Sequence, residues 1–155
     1  MKKIGLLVLL TVFVSCQYNP FAHLYLMEKP TSAGVVGTYI LKRQTMDRDL
    51  KFENKPRIVF RKDGSYRAYN FPVFKSDNLL DYKFSRQLSF SGKWSIDSFG
   101  VVDSGFSRDP NYGIYLENAP ESAKYLELTG EEKPDGFAIV YGDPDSGNGV
   151  VFTKI

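Results

Sequence analysis

From residue 35 to its end, the chain consists of short segments rich in aromatic and β-branched residues, separated by frequent turn signals. Such segments suit the half-buried surface of a pleated sheet. In the segment 90–96, apolar and polar residues alternate, as they do in a strand with one buried face. Segments of this kind occupy residues 35–44, 58–62, 65–69, 90–96, 112–116, 124–128, 137–141 and 150–153. The pattern predicts an all-β fold.

The turn residues indicate how these segments are connected. Asp63-Gly64 is the strongest hairpin signal, because this pair supplies the positive φ angles of a type I′ turn. A dense turn cluster, residues 142–149, joins the last two segments. Short strands at even spacing favour an antiparallel barrel or sandwich. A single meander β-barrel of about eight strands also leaves no exposed sheet edge. The irregular stretch 71–86 is expected to be an excursion at one rim.

The first sixteen residues form a separate unit with the order of an export signal. Lys2 and Lys3 supply a positive start, and residues 4–14 form an apolar stretch. This stretch is too short to span a bilayer, which takes about 20 residues, but it suits the apolar region of a signal peptide. Ser15, a small residue, then precedes Cys16, which is the single cysteine of the chain.

The end of this unit, Phe13-Val14-Ser15-Cys16, resembles the lipobox of bacterial lipoproteins. Phe13 departs from the preferred Leu at its position. The resemblance implies that residues 1–15 are a cleaved signal peptide and that Cys16 carries the lipid that holds the protein at a membrane. An ordinary signal peptide with a free Cys16 thiol is the alternative. Gln17 follows where an Asp resembles an inner-membrane retention mark, which implies the outer membrane, facing the periplasm, in a Gram-negative cell.

Residues 16–34 are interpreted as the lipidated cysteine and a tether, and residues 35–155 as the folded domain. Proline and glycine punctuate the tether, but its apolar residues are too numerous for a purely flexible linker. We therefore expect a short helix or a strap that packs against the domain.

Three short motifs resemble the small lipocalin-like, or calycin-like, domains of bacterial lipoproteins. They are Gly37-Thr38-Tyr39 at the start of the first strand, the Asp63-Gly64 hairpin and Gly92-Lys93-Trp94. Tyr39 stands where lipocalins have a tryptophan. The resemblance implies a barrel that holds a ligand, although a fold does not determine a function.

The charge balance argues against nucleic acid as a partner. The chain has 20 basic and 18 acidic side chains, and two of the basic ones, Lys2 and Lys3, belong to the export signal. The mature chain is therefore neutral, and its sequence has no basic run. A protein that binds nucleic acid needs a basic excess to neutralise phosphates.

The residue types also argue against an enzyme. Residues 35–155 contain no histidine and no cysteine, so they offer no base for Ser–His or Cys–His chemistry and no histidine-ligated zinc. Neither a cofactor nor a metal is expected. The acidic residues Asp103, Asp109, Glu117 and Glu127 are interpreted as solvated charges. Asp143-Pro144-Asp145 resembles the start of a calcium loop, but further ligands are missing, so a hairpin turn is the preferred reading, with weak calcium binding left open.

The remaining candidates are aromatic residues that face the interior of the predicted barrel. They are Tyr39, Phe60, Tyr66, Phe90, Trp94, Tyr115 and Phe137. An eight-stranded barrel is wide enough either to be filled by side chains or to hold one small ligand, and the sequence does not separate these cases. The leading hypothesis is a membrane-anchored, non-enzymatic lipoprotein that binds a small apolar or amphipathic ligand. The alternative is a protein-interaction module, such as a periplasmic inhibitor or an envelope-assembly accessory.

Overall fold

In a computed structural model, the chain forms one antiparallel sheet of eight strands that closes in a ring. The structure describes residues 20–76, 81–103 and 108–155. Each strand is hydrogen-bonded to the next one along the chain, and the last strand pairs with the first. The predicted all-β class and the meander of eight antiparallel strands are therefore confirmed.

The strands are β1 (Gly37–Gln44), β2 (Arg57–Phe60), β3 (Ser65–Ser76), β4 (Tyr82–Asp103), β5 (Arg108–Leu116), β6 (Tyr125–Thr129), β7 (Gly136–Val140) and β8 (Gly149–Lys154). The helical elements of the described residues are short: α1 (Ser32–Val35) and 3-10 turns at Ala22–Leu24, Glu121–Ala123 and Pro144–Ser146. The first strand thus begins two residues later than predicted. The Thr31 side chain accepts a hydrogen bond from the Gly34 amide and caps α1, so Val35 belongs to the helix.

The interior of the ring is filled by apolar side chains. Phe71 of β3, Phe152 of β8 and Phe137 of β7 form a stack, with ring centroids 5.2 Å apart in the first pair and 4.7 Å apart in the second. All three rings are fully buried. Because the stack connects β3 with β7 and β8, it ties strands from different parts of the ring to one core.

The prediction of an irregular excursion at residues 71–86 is wrong, because most of this stretch belongs to β3 and β4. β3 continues to Ser76, and β4 starts at Tyr82 and pairs with it. Two irregularities of register, after Ala68 and after Val73, interrupt the alternation of this hairpin. Asn70 sits in the first of them with φ of 49°. A bulge moves the following side chains to the other face, so a regular period of two does not reveal such a strand.

The turn at Asp63-Gly64 joins β2 and β3 as predicted, but it is not of type I′. Gly64 alone has a positive φ, 74°, whereas type I′ requires positive φ at both central residues. The Gly64 amide donates to the Arg61 carbonyl, and the Arg61 amide donates to the Ser65 carbonyl. The Asp63 carboxylate accepts from the Ser65 amide and hydroxyl. The turn is therefore a longer loop closed by a left-handed glycine.

Residues 20–30, here called the N-terminal strap, pack against the sheet, as expected from their apolar residues. β5 and β6 pair only from Gly113 to Tyr115, and beyond this pairing the strap lies between them. The Leu26 amide donates to the Leu128 carbonyl, and the Leu26 carbonyl accepts from the Tyr112 amide. The Leu26 side chain is fully buried in the main core. Phe21 and Tyr25 form a second cluster with Ala138 on the outside of the ring.

Within residues 20–76, 81–103 and 108–155, no helix has the length and apolar character needed to cross a bilayer.

The strap offers a direct test of this packing. We expect Leu26→Ala to lower the free energy of unfolding by about 2–5 kcal/mol, because it leaves a cavity in the core. Met27→Ala is the matched control, since Met27 is 37% exposed, and a change of at most about 0.5 kcal/mol is expected. Equilibrium unfolding in urea measures both. Equal midpoints for the two variants would contradict the structural role of the strap.

Candidate functional site

Six of the seven predicted binding aromatics come together on the inner side of the sheet. Tyr39, Phe60, Tyr66 and Phe137 belong to the main core, and Phe90 and Trp94 are half-buried against it. Neighbouring rings of this group are in contact with one another. The centroid distances are 5.6 Å for Tyr39–Phe137, 5.4 Å for Tyr39–Phe60, 5.6 Å for Phe60–Trp94 and 6.0 Å for Tyr66–Phe90. These rings therefore contact one another across the interior.

The two buried tyrosine hydroxyls of this group are engaged within the protein. The Tyr39 hydroxyl donates to the Val35 carbonyl at 2.8 Å, and the Tyr66 hydroxyl donates to the Glu117 carbonyl at 2.7 Å. Burial raises the pKa of Tyr66 to about 12, and burial together with the nearby Asp135 raises the pKa of Tyr39 further. Both hydroxyls therefore stay protonated and act as structural hydrogen-bond donors.

Tyr115 does not join this group. Its neighbours in β5, Ile114 and Leu116, are fully buried, so the alternation of the strand directs Tyr115 to the outside. Its ring lies 5.5 Å from that of Tyr125, which is 52% exposed. Tyr115 thus belongs to a different surface from the other six.

That surface, here called the outer aromatic patch, comprises Phe99, Tyr115 and Tyr125. The Phe99 ring stands edge-on to Tyr125 at 5.3 Å. It also lies against Gly113, where a Cβ would meet the ring at 2.0 Å, so only glycine at this position leaves room for it. The sequence analysis missed Phe99 and Tyr125, and a register shift after Ser98 in β4 shows why a simple period of two does not reveal this cluster.

A depression of about 550 Å³ lies beside Trp94. Trp94 and Ile96 of β4 form its apolar side, and Pro30 of the strap and Lys62 of the β2–β3 turn lie around it. The indole Nε1 of Trp94 donates to the Arg61 carbonyl at 3.3 Å, which fixes the ring. The depression opens to the surface at the edge of the six aromatic residues.

Of the four predicted acidic residues, Glu127 is the one that differs most from a solvated charge. It is largely buried on the outer side of β6, near the strap, where it accepts a hydrogen bond from Tyr25. The Asn111 side-chain amide also donates to it, at 3.5 Å. Glu117 is exposed, Asp109 is half-buried in β5, and the side chain of Asp103 lies outside the described residues.

Two oxygens of the Asn111–Glu127 pair are buried without a partner in the described part of the chain: Asn111 Oδ1 and Glu127 Oε2. Both are acceptors when Glu127 is ionised. A proton on Oε2 supplies the donor that this pair lacks. Burial raises the pKa of Glu127 above its ordinary value, and the hydrogen bond from Tyr25 opposes this shift in part. Burial therefore makes ionisation of Glu127 less favourable than it is for an exposed glutamate.

The loop at Asp143–Asp145 forms a hairpin turn between β7 and β8, as preferred from the sequence. The Asp143 carboxylate accepts from the Asp145 amide at 3.0 Å, and Gly147 follows in the left-handed conformation. Elsewhere in the described residues, too, no three histidine, cysteine, aspartate or glutamate side chains are grouped so that they could hold a metal ion.

Comparison with protein-family models, with curated proteins and with solved structures found no match to this chain. The described residues form a closed all-β sheet with a packed interior and with aromatic and charged groups on its outer surface.

The Asn111–Glu127 pair predicts how stability depends on pH. A raised pKa means that the folded state binds the proton more readily than the unfolded state, so stability falls as pH rises from the ordinary glutamate value of about 4.3 toward the folded value. Glu127→Gln removes this loss, because the amide carries no charge and also offers a donor to Asn111. We expect the variant to become progressively more stable than the parent across this window.

Urea unfolding at a series of pH values measures the difference in unfolding free energy. Glu132→Gln is the control, because Glu132 is exposed. A difference between Glu127→Gln and the parent that stays constant with pH would refute a raised pKa for Glu127.

Proposed function

We propose that this protein is a lipid-anchored, non-enzymatic binding protein of the bacterial cell envelope, and that it recognises a protein partner with its outer surface. The order of Lys2, Lys3, the apolar residues 4–14 and Cys16 supports the anchor. Cys16 lies outside the described residues. The absence of histidine and cysteine from residues 35–155 supports a role in binding rather than in catalysis.

The two sides of the sheet differ, and this difference is the reason for proposing that the partner binds to the outer surface. Inside, fully buried rings such as those of Phe71, Phe137 and Phe152 stack on one another. Outside, the outer aromatic patch leaves Tyr125 more than half exposed. Tyrosine and phenylalanine are enriched at protein interfaces, because a large rigid ring buries much area at a low entropic cost.

A small apolar or amphipathic ligand is the second candidate, and the depression beside Trp94 favours it. Its volume, about 550 Å³, suits a small molecule, and Trp94 and Ile96 give it an apolar side. Such a ligand would lie at the edge of the ring, in contact with the strap, rather than in its centre. The lipocalin-like resemblance of the strand pattern supports this candidate by analogy alone.

The anchor predicts the behaviour of Cys16→Ser. Without the sulfur no thioether to a lipid forms, so we expect unprocessed precursor to accumulate and the mature form to disappear from the detergent phase. Immunoblotting of detergent-partitioned cell extracts measures both. Ser15→Ala is the control, since it keeps a small residue before the cysteine. Unchanged processing and partitioning of Cys16→Ser would remove the basis for the proposed address.

The outer aromatic patch predicts the effect of Tyr125→Ser. If this patch is the centre of an interface, we expect recovery of a stoichiometric protein partner from envelope extract to fall at least about tenfold. The Tyr125 side chain is 52% exposed, so the free energy of unfolding should change little.

Tyr69→Ser, on the outer side of β3, is the matched control for loss of a tyrosine. Equal recovery with the patch variant and the control would exclude the patch as the interface. Co-purified lipid in place of a protein partner would favour the second candidate.

A further inference from the structure

A second surface on the outside of the ring is distinguished by its charge. A depression of about 440 Å³ lies between β1 and the loop that joins β1 to β2. Its charged lining residues are all cationic: Lys42, Arg43, Arg48, Lys51 and Lys55. Leu50 and Phe52 lie half-buried among them. We call this surface the basic depression.

The backbone of β1 and its loop brings these cations together. The register of β1 against β8 shifts between Leu41 and Arg43, and as a result the consecutive side chains of Lys42 and Arg43 are both exposed. The Gln44 side-chain amide donates to the carbonyls of Asp47 and Leu50, at 2.8 and 3.4 Å. These contacts hold the loop in a folded conformation, so the cations are presented in a defined place.

The cations of the basic depression form no ion pair with a carboxylate in the described part of the chain. Across residues 20–76, 81–103 and 108–155, no carboxylate lies within salt-bridge distance of any of the five. The loop also contains Asp47, Asp49 and Glu53, but none of these lines the depression. The Asp47 carboxylate is instead directed to β4, where it accepts from the Phe84 amide. The depression therefore has an excess of positive charge: five cations line it, against three carboxylates in the same loop, of which Asp47 and Asp49 lie beside Arg48.

The basic depression also lies close to Phe21 and Pro20, at the N-terminal end of the described chain. The Arg43 guanidinium lies over the Phe21 ring, 5.5 Å from its centroid. Pro20 lies beside Gly147, at the neighbouring β7–β8 connection. Cys16 precedes Pro20 by four residues, a span of at most about 14 Å. A lipid on Cys16 would thus hold this side of the protein close to the membrane surface.

We propose that the basic depression docks on the phosphate groups of anionic membrane lipids and fixes the orientation of the anchored protein. This inference rests on the proposed lipid anchor. Clusters of four to eight Lys and Arg residues beside an anchor bind anionic lipid surfaces. Leu50 and Phe52 suit this partner as well, because apolar side chains beside cations enter the boundary between headgroups and acyl chains.

The test uses the processed protein, purified from membranes and reconstituted into vesicles. One preparation contains neutral phosphatidylcholine alone, and the other also contains phosphatidylglycerol. A soluble amine-acylating reagent labels the lysines, and mass spectrometry gives the rate at each one. We expect Lys42, Lys51 and Lys55 to react about fivefold more slowly in anionic vesicles than in neutral ones. This factor corresponds to the binding free energy of about 1 kcal/mol for one basic residue at an anionic surface. High salt should abolish this protection.

Lys62 and Lys133 are internal controls, because the β2–β3 and β6–β7 connections lie at the opposite end of the ring from the β1–β2 loop. Their rates should be the same in both preparations. Equal rates for the depression lysines in the two kinds of vesicle would overturn the proposal. Protection by glycerol phosphate in detergent solution, without vesicles, would also overturn it, because that result would indicate a site for a free phosphate ester.

A variant separates the depression from a general charge effect. In Lys42→Gln/Lys51→Gln/Lys55→Gln, labelling of Arg43 and Arg48 by a dicarbonyl reagent should no longer respond to anionic lipid. In Lys62→Gln/Lys133→Gln the response should persist. Flotation distinguishes the two proposals: a protein that floats only with anionic vesicles would refute the anchor but keep the docking surface.

Discussion

The pairing of β8 with β1 is the contact on which the rest of the structure depends. It joins the two ends of a sequential meander, so each of the eight strands has a partner on both sides. It also places Phe152 opposite Leu41 and completes the aromatic stack of the interior. Without this pairing the sheet would have two free edges and a half-exposed core. The chain has a single cysteine and hence no disulfide of its own, so the closed ring relies on this pairing and on the packed interior.

Closure of the ring also determines where recognition can occur. Once stacked phenylalanine rings occupy the interior, the side chains available to a partner are those outside or at the rim. The outside is not uniform. The strap, through Phe21 and Tyr25, covers part of β7 and β8. The outer aromatic patch lies on β4, β5 and β6, and the basic depression lies on β1 and the loop that follows it. A protein held at a membrane through one side can therefore present a different side to a partner in the surrounding space.

The sequence predicted the features that depend on local patterns and missed those that depend on register. The number, order and approximate position of the strands follow from alternation and turn residues, which neighbouring residues determine. The extension of β3 and β4 was missed because bulges near Asn70 and Val73 interrupt the alternation. The contact of Phe99 with Gly113 depends on the register of β4 against β5, and the place of Leu26 depends on pairing with residues about a hundred positions away. Such long-range contacts leave no local pattern.

The distribution of charge also depends on long-range structure and cannot be read from the composition. Residues 16–155 contain equal numbers of basic and acidic side chains, and this balance argues against a polyanion that must be neutralised along a whole face. A net charge of zero does not, however, mean that positive and negative side chains are evenly distributed over the folded surface. In the loop after β1, acidic and basic residues alternate closely along the chain, yet the fold directs Asp47 to the Phe84 amide and leaves the cations around the depression. Screening limits electrostatic interactions to about 10 Å at moderate salt, so a local group of cations acts independently of the net charge. The arrangement of charges on the folded surface, rather than their sum, determines which partners the protein attracts.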